Sequence, residues 1–319
     1  MITYILFIVG FIVLIFGAHK LVEGASSLGV KVGLSQVVVG MTIVALGTSL
    51  PELFINIFAS VRGNTALVIG NVLGSNIANT FLIVGVAAVI YSIKVSKKTV
   101  SVMIPGSVFA AVVLLVLAND SVFGRATQDI GRVDGVVLLI FFVAFLYYTL
   151  FKPDKSDVDD ADVQIKTISI GLSLLYIIIG VAGLYFGGDW IVKGAEQISV
   201  DLGVSQSVIG LTLIAGATSL PELVTSIIAA TKKNSAMAIG NAVGSNIFNI
   251  FFVLGVSAVI RPIPFDASLN FEIIMVIASG LLLWVFVKWI GKTANMINRI
   301  EGIFLIAAYL LFILYSVLF

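Results

Sequence analysis

The chain has 319 residues, a formal net charge of +1 and no cysteine, and 60% of its residues are hydrophobic against 11% that are charged. Its mean hydropathy of +1.17 lies far above that of a water-soluble domain. These values exclude a soluble globular protein, a disulfide-stabilised scaffold and a thiolate metal site, and they predict an integral membrane protein.

Ten apolar segments follow one another along the chain, five in each half. Each approaches the roughly 20 residues that a helix needs to cross a bilayer core of about 30 Å. In chain order they cover residues 2–22, 36–61, 66–90, 100–117, 136–151, 168–190, 206–231, 236–260, 271–287 and 303–318. The first segment lacks the basic start of a signal peptide, so we expect it to be retained. The pattern predicts an all-α integral membrane protein of about ten transmembrane helices.

An internal repeat relates the two halves. Residues 40–90 recur as residues 210–260 with 27 of the 51 positions identical. The best-matched stretch, Thr-Ser-Leu-Pro-Glu-Leu, places Glu52 in one half and Glu222 in the other. A carboxylate at the centre of a membrane helix costs on the order of 2.5 to 3.5 kcal/mol on insertion scales, so function explains the pair better than packing does. We predict a first repeat at 1–151, a cytoplasmic acidic linker at 152–166 and a second repeat at 167–319.

The basic residues predict the orientation of the chain. With the N-terminus outside, thirteen Lys and Arg residues fall on the inner side and five on the outer side. Five spans per repeat force the second repeat to enter the membrane from the opposite side, so the repeats are expected to be inverted, with both termini extracellular. Each glutamate lies ten residues before a basic helix end, about 15 Å or half the hydrocarbon core, so the two carboxylates should meet near the midplane.

A proline precedes each glutamate and predicts a broken helix at the midplane. Pro51 and Pro221 lack a backbone N–H and disturb the turn before them. An unwound turn would expose carbonyl oxygens at 45–48 and 215–218. Such oxygens together with carboxylates suit hard cations such as Ca2+ and Na+.

The helix after each broken helix carries polar residues spaced four apart, Asn71, Ser75 and Asn79 in one half and Asn241, Ser245 and Asn249 in the other. This spacing puts them on one face, where they could complete a cation site. The neighbouring glycine pairs, 70 with 74 and 240 with 244, are typical of close helix packing. Two adjacent carboxylates repel each other unless a cation or a proton intervenes. If reorientation is fast only with that charge compensated, ion exchange follows.

These motifs resemble those of the sodium/calcium exchangers of the cation/Ca2+ exchanger superfamily, including its small prokaryotic members. The resemblance rests on the two Thr-Ser-Leu-Pro-Glu motifs and on Gly-Asn-x-x-Gly-Ser-Asn-Ile-x-Asn at 70–79 and 240–249, and it covers nearly the whole chain. It implies ten helices, alternating access and a central diamond of cation sites. The ligands it implies for Ca2+ are Glu52, Glu222 and the carbonyls of Thr48 and Thr218. Those it implies for Na+ are Ser49, Ser219, Ser75, Ser245 and the carbonyls of Ala45 and Ala215, with Asn79 and Asn249 in the remaining central positions.

The chain departs from the family pattern at two places. Some members carry an acidic residue where this chain has Asn249, which leaves the ion stoichiometry and any involvement of K+ open. The second motif reads Gly216-Ala217-Thr218 where the first reads Leu46-Gly47-Thr48, so the flexible glycine is shifted by one residue.

The expected function is Na+/Ca2+ antiport in a plasma membrane, with Ca2+ and Na+ as substrates. A proton-coupled Ca2+ antiporter is the main alternative, and a passive cation channel is a weaker one. An enzyme is not expected, because the paired acids lack an identified nucleophile or metal-binding histidines. No cofactor and no nucleic-acid partner is expected, and the oligomeric state is open, with a monomer compatible with the sequence.

Overall fold

The computed structural model describes residues 2–119, 128–151, 165–201, 218–290 and 295–318. Within these ranges the protein is built of helices, with four strands of two residues each. Eight of the described helices are long and apolar enough to cross a membrane, and counting one bent helix pair as a single span gives nine. The prediction of an all-helical, multi-pass membrane protein is confirmed.

The helices and strands follow the predicted segments in chain order. The first half contains α1 (Ile2–Val32), α2 (Gln36–Thr48), α3 (Leu50–Arg62), α4 (Thr65–Ile90), α5 (Thr99–Ala118) and α6 (Arg132–Phe151). The second half contains α7 (Ile170–Asp201), α8 (Leu220–Thr231), α9 (Ser235–Ile260), α10 (Ala267–Trp289) and α11 (Arg299–Leu318). The strands are β1 (Ile93–Lys94), β2 (Asp129–Ile130), β3 (Ile263–Pro264) and β4 (Met296–Ile297).

The four strands tie the two halves together by a reciprocal pairing. β1 pairs with β4 in antiparallel fashion, with Ile93 opposite Ile297, and β2 pairs with β3, with Ile130 opposite Ile263. In each pair, the strand that follows α4 or α9 meets the strand that precedes the last helix of the other half. The two halves are therefore interleaved rather than placed side by side.

Two helices are longer than the hydropathy pattern predicted. α1 continues to Val32 instead of ending near residue 22, and α7 continues to Asp201 instead of residue 190. The added part of α1 contains small and polar residues, including Ser26 and Ser27, which lower the hydropathy but are buried. Both extensions pack against the other helix: a Cβ atom on Gly24 would lie 2.6 Å from the carbonyl oxygen of Ser173 in α7, and one on Gly194 would lie 2.5 Å from Cβ of Phe7 in α1. Protein contacts, rather than lipid contacts, stabilise these extensions.

The second membrane segment is broken as predicted, but the break falls at Ser49, and the predicted unwound turn at 45–48 is wrong because these residues are helical. α2 and α3 are separated by Ser49 and bent by 44° relative to each other, and Pro51 occupies the first turn of α3. In the second half, α8 begins after Ser219 and carries Pro221 in its first turn. The part of the predicted seventh segment at 206–217 lies outside the described residues, as does nearly all of the predicted linker at 152–166.

The helices that follow the breaks form the centre of the molecule. In their most apolar windows, 72% of the residues of α4 and 78% of those of α9 are buried, against 17% for α11. The polar motifs of the repeat therefore lie on the two most enclosed helices, away from lipid.

Candidate cation-binding site

The helix breaks place the two glutamates by the same local geometry. Ser49 has φ −86° and ψ 3°, and Ser219 has φ −85° and ψ 0°, in the sparsely populated bridge region where active-site residues are often found. Glu52 and Glu222 then fall in the first turn of α3 and α8. Because the N-terminal end of a helix carries a partial positive charge, this position favours an ionised carboxylate.

Both carboxylates are buried without a basic partner. The relative exposure is 1% for Glu52 and 0% for Glu222. The salt bridges within the described ranges, Lys20 with Glu23 and Lys193 with Asp189, involve neither of them. The two carboxylates do interact electrostatically with each other. The site therefore concentrates negative charge that protein groups in the described part of the chain do not neutralise.

Hydroxyl groups connect Glu222 to the first half. The hydroxyl of Ser49 lies 3.0 Å from Oε1 of Glu222, to which it can donate, and 3.2 Å from Oγ of Ser245. Ser245 also lies within 3.5 Å of the same carboxylate oxygen. The structure thus brings together a serine from one broken helix, the glutamate from the other, and the polar face of α9.

Two further hydrogen bonds join the halves in a reciprocal pattern. Thr48 Oγ1 donates to Oδ1 of Asn241 at 3.2 Å, and Thr218 Oγ1 donates to Oδ1 of Asn71 at 3.1 Å. The two asparagines are held in turn by residues that sequence reasoning missed. Asn71 Nδ2 donates to Oδ1 of Asn56 at 2.9 Å, and Asn241 Nδ2 donates to Ser226 Oγ at 3.0 Å. The sequence does contain a signal for these two residues, because Asn56 lies one helical turn after Glu52 and Ser226 lies one helical turn after Glu222.

Several buried polar atoms at the centre have no hydrogen-bond partner among the described residues. They include both carboxylate oxygens of Glu52 and Oε2 of Glu222. They also include the hydroxyls of Ser75 and Ser219 and the side-chain amides of Asn79 and Asn249. A buried polar group left without a partner costs about 1 to 3 kcal/mol. Carboxylate, hydroxyl and amide oxygens are ligands that Ca2+ and other hard cations prefer, so this set fits such an ion.

Eleven of the twelve residues predicted for the site lie within the described residues, and all eleven are buried. The twelfth, Ala215, lies outside them. The carbonyl of Ala45 accepts a helical hydrogen bond from the N–H of Ser49 at 3.0 Å, and the hydroxyl of Thr48 lies 3.3 Å from the same oxygen. Asn79 begins a π-helical turn in α4, and Asn249 lies within the corresponding turn of α9. Such turns are frequently found at functional sites.

Small residues let α9 approach α2 closely. A Cβ atom on Gly240 would lie 2.6 Å from the carbonyl oxygen of Val37, and one on Gly244 would lie 2.7 Å from Cα of Met41. The predicted packing function is confirmed for this glycine pair, but it is wrong for Gly70 of the other pair, where an added Cβ atom would meet nothing within 4 Å among the described residues. The close approach is also what brings Ser245 within hydrogen-bond distance of Ser49.

The fold and the site together define a multi-pass membrane protein with a buried, oxygen-rich site of the kind that binds a hard cation. The family model described as sodium/calcium exchanger protein matches residues 2–151 and 172–318. The sodium/calcium exchanger MaX1 of Methanosarcina acetivorans is 31% identical over 304 residues, covering 84% of this chain and 85% of that one. An uncharacterized membrane protein of Methanocaldococcus jannaschii is 34% identical over 268 residues, covering 83% and 82%. The chain belongs to the sodium/calcium exchanger family.

Solved structures agree with this assignment. The sodium-calcium exchanger NCX_Mj, soaked with Na+ and Ca2+, has a TM-score of 0.81 and 32% sequence identity, covering 98% of this chain and 97% of that one. The same exchanger soaked with Na+ and Sr2+ also has a TM-score of 0.81 at 32% identity, covering 97% of both chains. The family resemblance is confirmed, and MaX1 and NCX_Mj are exchangers rather than enzymes. Membership of this family supports a function in cation/Ca2+ antiport across a membrane.

Proposed function

We propose that this protein exchanges Na+ for Ca2+ by alternating access at a central site formed by Glu52 and Glu222. One observation carries the proposal: each half supplies one buried carboxylate, and neither has a basic partner among the described residues. One Ca2+ ion balances two carboxylates, so the loaded site has no net charge. A site without net charge crosses the low-dielectric interior more easily than a charged one.

Na+ is the proposed counter-ion because the site is rich in neutral oxygens. Monovalent ions must together supply the same charge as Ca2+, at positions separated enough to limit their repulsion. The hydroxyls of Ser49, Ser75, Ser219 and Ser245, the carbonyls of Ala45 and Ala215, and the amides of Asn79 and Asn249 are the ligands we propose around the two glutamates. Thr48 and Thr218 are proposed to contribute their carbonyls to Ca2+.

The proposed architecture is ten helices in two inverted five-helix repeats, at 1–151 and 167–319, joined by the acidic linker at 152–166. α8 would then be the second part of a broken span that matches α2 and α3. The reciprocal strand pairs support this, because β1 with β4 and β2 with β3 each join loops that the inverted topology puts on the same side. We place both termini outside, because basic residues are in excess on the other side of the membrane. We propose that this membrane is a plasma membrane.

The experiment is uptake of radioactive Ca2+ into proteoliposomes loaded with Na+ and diluted into Na+-free buffer. Vesicles loaded with K+ and vesicles with an acidic interior are run in parallel. Uptake that requires internal Na+ and that the substitution Glu52→Gln abolishes supports exchange at this site. Normal transport by Glu52→Gln would refute the site.

Proton coupling is the second candidate, since protons can also neutralise two carboxylates. It predicts uptake driven by the acidic interior without Na+. A passive channel predicts Ca2+ entry that needs no counter-ion gradient, together with large unitary currents. The same vesicle experiment tests both alternatives, proton-coupled antiport and a passive channel.

A further inference from the structure

α3 carries a line of buried polar residues that leads away from Glu52. Asn56 follows Glu52 by four residues and Ser60 follows it by eight, so they lie roughly 6 and 12 Å further along the axis on nearly the same face. All three are buried, with relative exposures of 1% for Glu52 and 0% for Asn56 and Ser60. We call Glu52, Asn56 and Ser60 the α3 polar track.

The outer members of the track are incompletely hydrogen-bonded among the described residues. Asn56 accepts a hydrogen bond from Asn71, but Nδ2 of Asn56 and Oγ of Ser60 have no hydrogen-bond partner among the described residues. Among the described residues, α3 packs mainly against α4 and α9. An amide N–H and a hydroxyl that are buried without partners destabilise this state of the protein. Water would satisfy both groups in a second state in which it reaches them.

The track ends at the surface of the molecule. The next residues, 61–63, are exposed, and Gly63 lies beside the exposed Arg261, since a Cβ atom on this glycine would be 2.9 Å from Nη1 of the guanidinium. The polar positions therefore extend from the buried carboxylate to the solvent-facing end of α3 without an apolar turn on that face.

The second half does not repeat this feature. In α8 the positions that match Asn56 and Ser60 are Ser226 and Ala230. Ser226 accepts a hydrogen bond from Asn241, while Thr225, beside it, has an unpartnered hydroxyl among the described residues. Polar character in α8 thus stops one turn from Glu222, and Ala230 is a buried apolar residue. Ser60 and Ala230 are therefore matched positions of the repeat that differ by a single hydroxyl group.

We propose that the α3 polar track lines the route by which water and cations reach the central site from the side of the membrane where Arg62 lies. The inference rests on the proposed cation transport at Glu52 and Glu222. In the present structure the route is closed around Asn56 and Ser60. When it opens, water hydrates Nδ2 of Asn56 and the hydroxyl of Ser60, and both groups solvate the cation as it moves toward Glu52. The route from the opposite side lacks the outer polar turn.

The native chain contains no cysteine, so single cysteines can be introduced without altering any other position. The test compares Ser60→Cys with Ala230→Cys in proteoliposomes, with a positively charged, membrane-impermeant methanethiosulfonate reagent. Ser268→Cys, exposed in the first turn of α10 near the same side, shows that the reagent is active. Because accessible thiols react faster than enclosed ones, we expect Ser60→Cys to react at least about tenfold faster than Ala230→Cys, and from one side only. Saturating Ca2+ should slow the reaction.

Equal rates at positions 60 and 230, or an unreactive Ser60→Cys beside a reactive Ser268→Cys, would overturn the proposal. A rate at position 60 that Ca2+ leaves unchanged would place Ser60 off the ion route and also overturn it. The rate comparison needs no Na+ gradient. Fast labelling without Na+-driven uptake would therefore count against the proposed function alone, and normal uptake with unreactive Ser60→Cys would count against the access route alone.

Discussion

Replacement of Glu52 by glutamine tests the charge balance of the site. The substitution keeps a side chain of the same size with one carbonyl oxygen, but it removes one of the two buried negative charges. A Ca2+-loaded site then carries a net charge of +1 instead of zero. A single charge at the centre of a membrane helix costs on the order of 2.5 to 3.5 kcal/mol. Since about 1.36 kcal/mol is a tenfold change in rate, Ca2+ translocation should slow by about 70- to 400-fold.

The assay is exchange of radioactive Ca2+ for unlabelled Ca2+ across proteoliposome membranes, without Na+ on either side. This measures the Ca2+-carrying step alone. Glu23→Gln is the matched control, because it removes a carboxylate whose side chain is 33% exposed and is paired with Lys20. The control should exchange Ca2+ at close to the native rate. A loss of less than tenfold for Glu52→Gln would refute the reasoning that charge compensation controls translocation.

The same variant should acquire a dependence on membrane potential. A neutral loaded site moves no net charge, so native Ca2+/Ca2+ exchange is expected to be insensitive to voltage. With a net charge of +1, the full membrane potential would contribute about 2.3 kcal/mol per 100 mV, and less if the charge crosses only part of the field. Potentials set with K+ and valinomycin should therefore change the exchange rate of Glu52→Gln but not that of the native protein. Equal insensitivity in both would contradict a neutral loaded state in the native protein.

Three further predictions follow from the same contacts. Ser49→Ala removes a hydrogen bond to Glu222 worth about 1.5 to 3 kcal/mol. It should lower the unfolding temperature in detergent more than Ser219→Ala, whose hydroxyl has no partner among the described residues; equal shifts would argue against the hydrogen bond. Gly244→Ala forces a methyl group against backbone atoms 2.7 and 2.8 Å away and should destabilise the protein by about 1 to 3 kcal/mol. Gly106→Ala, whose methyl group would meet its first neighbour at 4.0 Å, should be neutral or stabilising in the same thermal assay. Acidification on both sides of the membrane should slow Na+-driven Ca2+ uptake, because protons compete for the carboxylates, and excess Ca2+ should restore the rate; faster uptake at low pH would contradict competition.

Hydropathy and the internal repeat were sufficient to predict the helical membrane fold, and the resemblance of the motifs to those of known exchangers predicted the family. The prolines predicted a helix break, but the break falls at Ser49 and not at 45–48, which stay helical. Hydropathy was insufficient for the lengths of α1 and α7, because a hydropathy window measures transfer into lipid. The small and polar residues of α1, such as Ser26 and Ser27, are buried against other helices instead of facing lipid. Contacts with the protein therefore extend a helix beyond the point at which its apolar character ends.

The site was only partly predictable for a related reason. A local motif shows which residues share a face, so the spacing of Asn71, Ser75 and Asn79 indicated a polar stripe. It does not show which residue of the other half lies opposite. The pairing of Thr48 with Asn241 depends on how closely Gly240 and Gly244 let α9 approach α2, and the pairing of Thr218 with Asn71 depends on how the start of α8 lies against α4. These long-range pairs became visible only in three dimensions.

The internal repeat puts the two glutamates in matching positions, but their surroundings differ. Both lie in the first turn after a bridge-region serine, yet Glu222 accepts a hydrogen bond from Ser49, while both oxygens of Glu52 lack one among the described residues. Glu52 is also the carboxylate from which the α3 polar track leads outward. A cation arriving along that track would meet first the carboxylate that is least satisfied by the protein, and only then the one already held by hydroxyls. Because the two halves differ, a cation that enters by this route would bind Glu52 before Glu222, an order that an exact repeat of the sequence would lack.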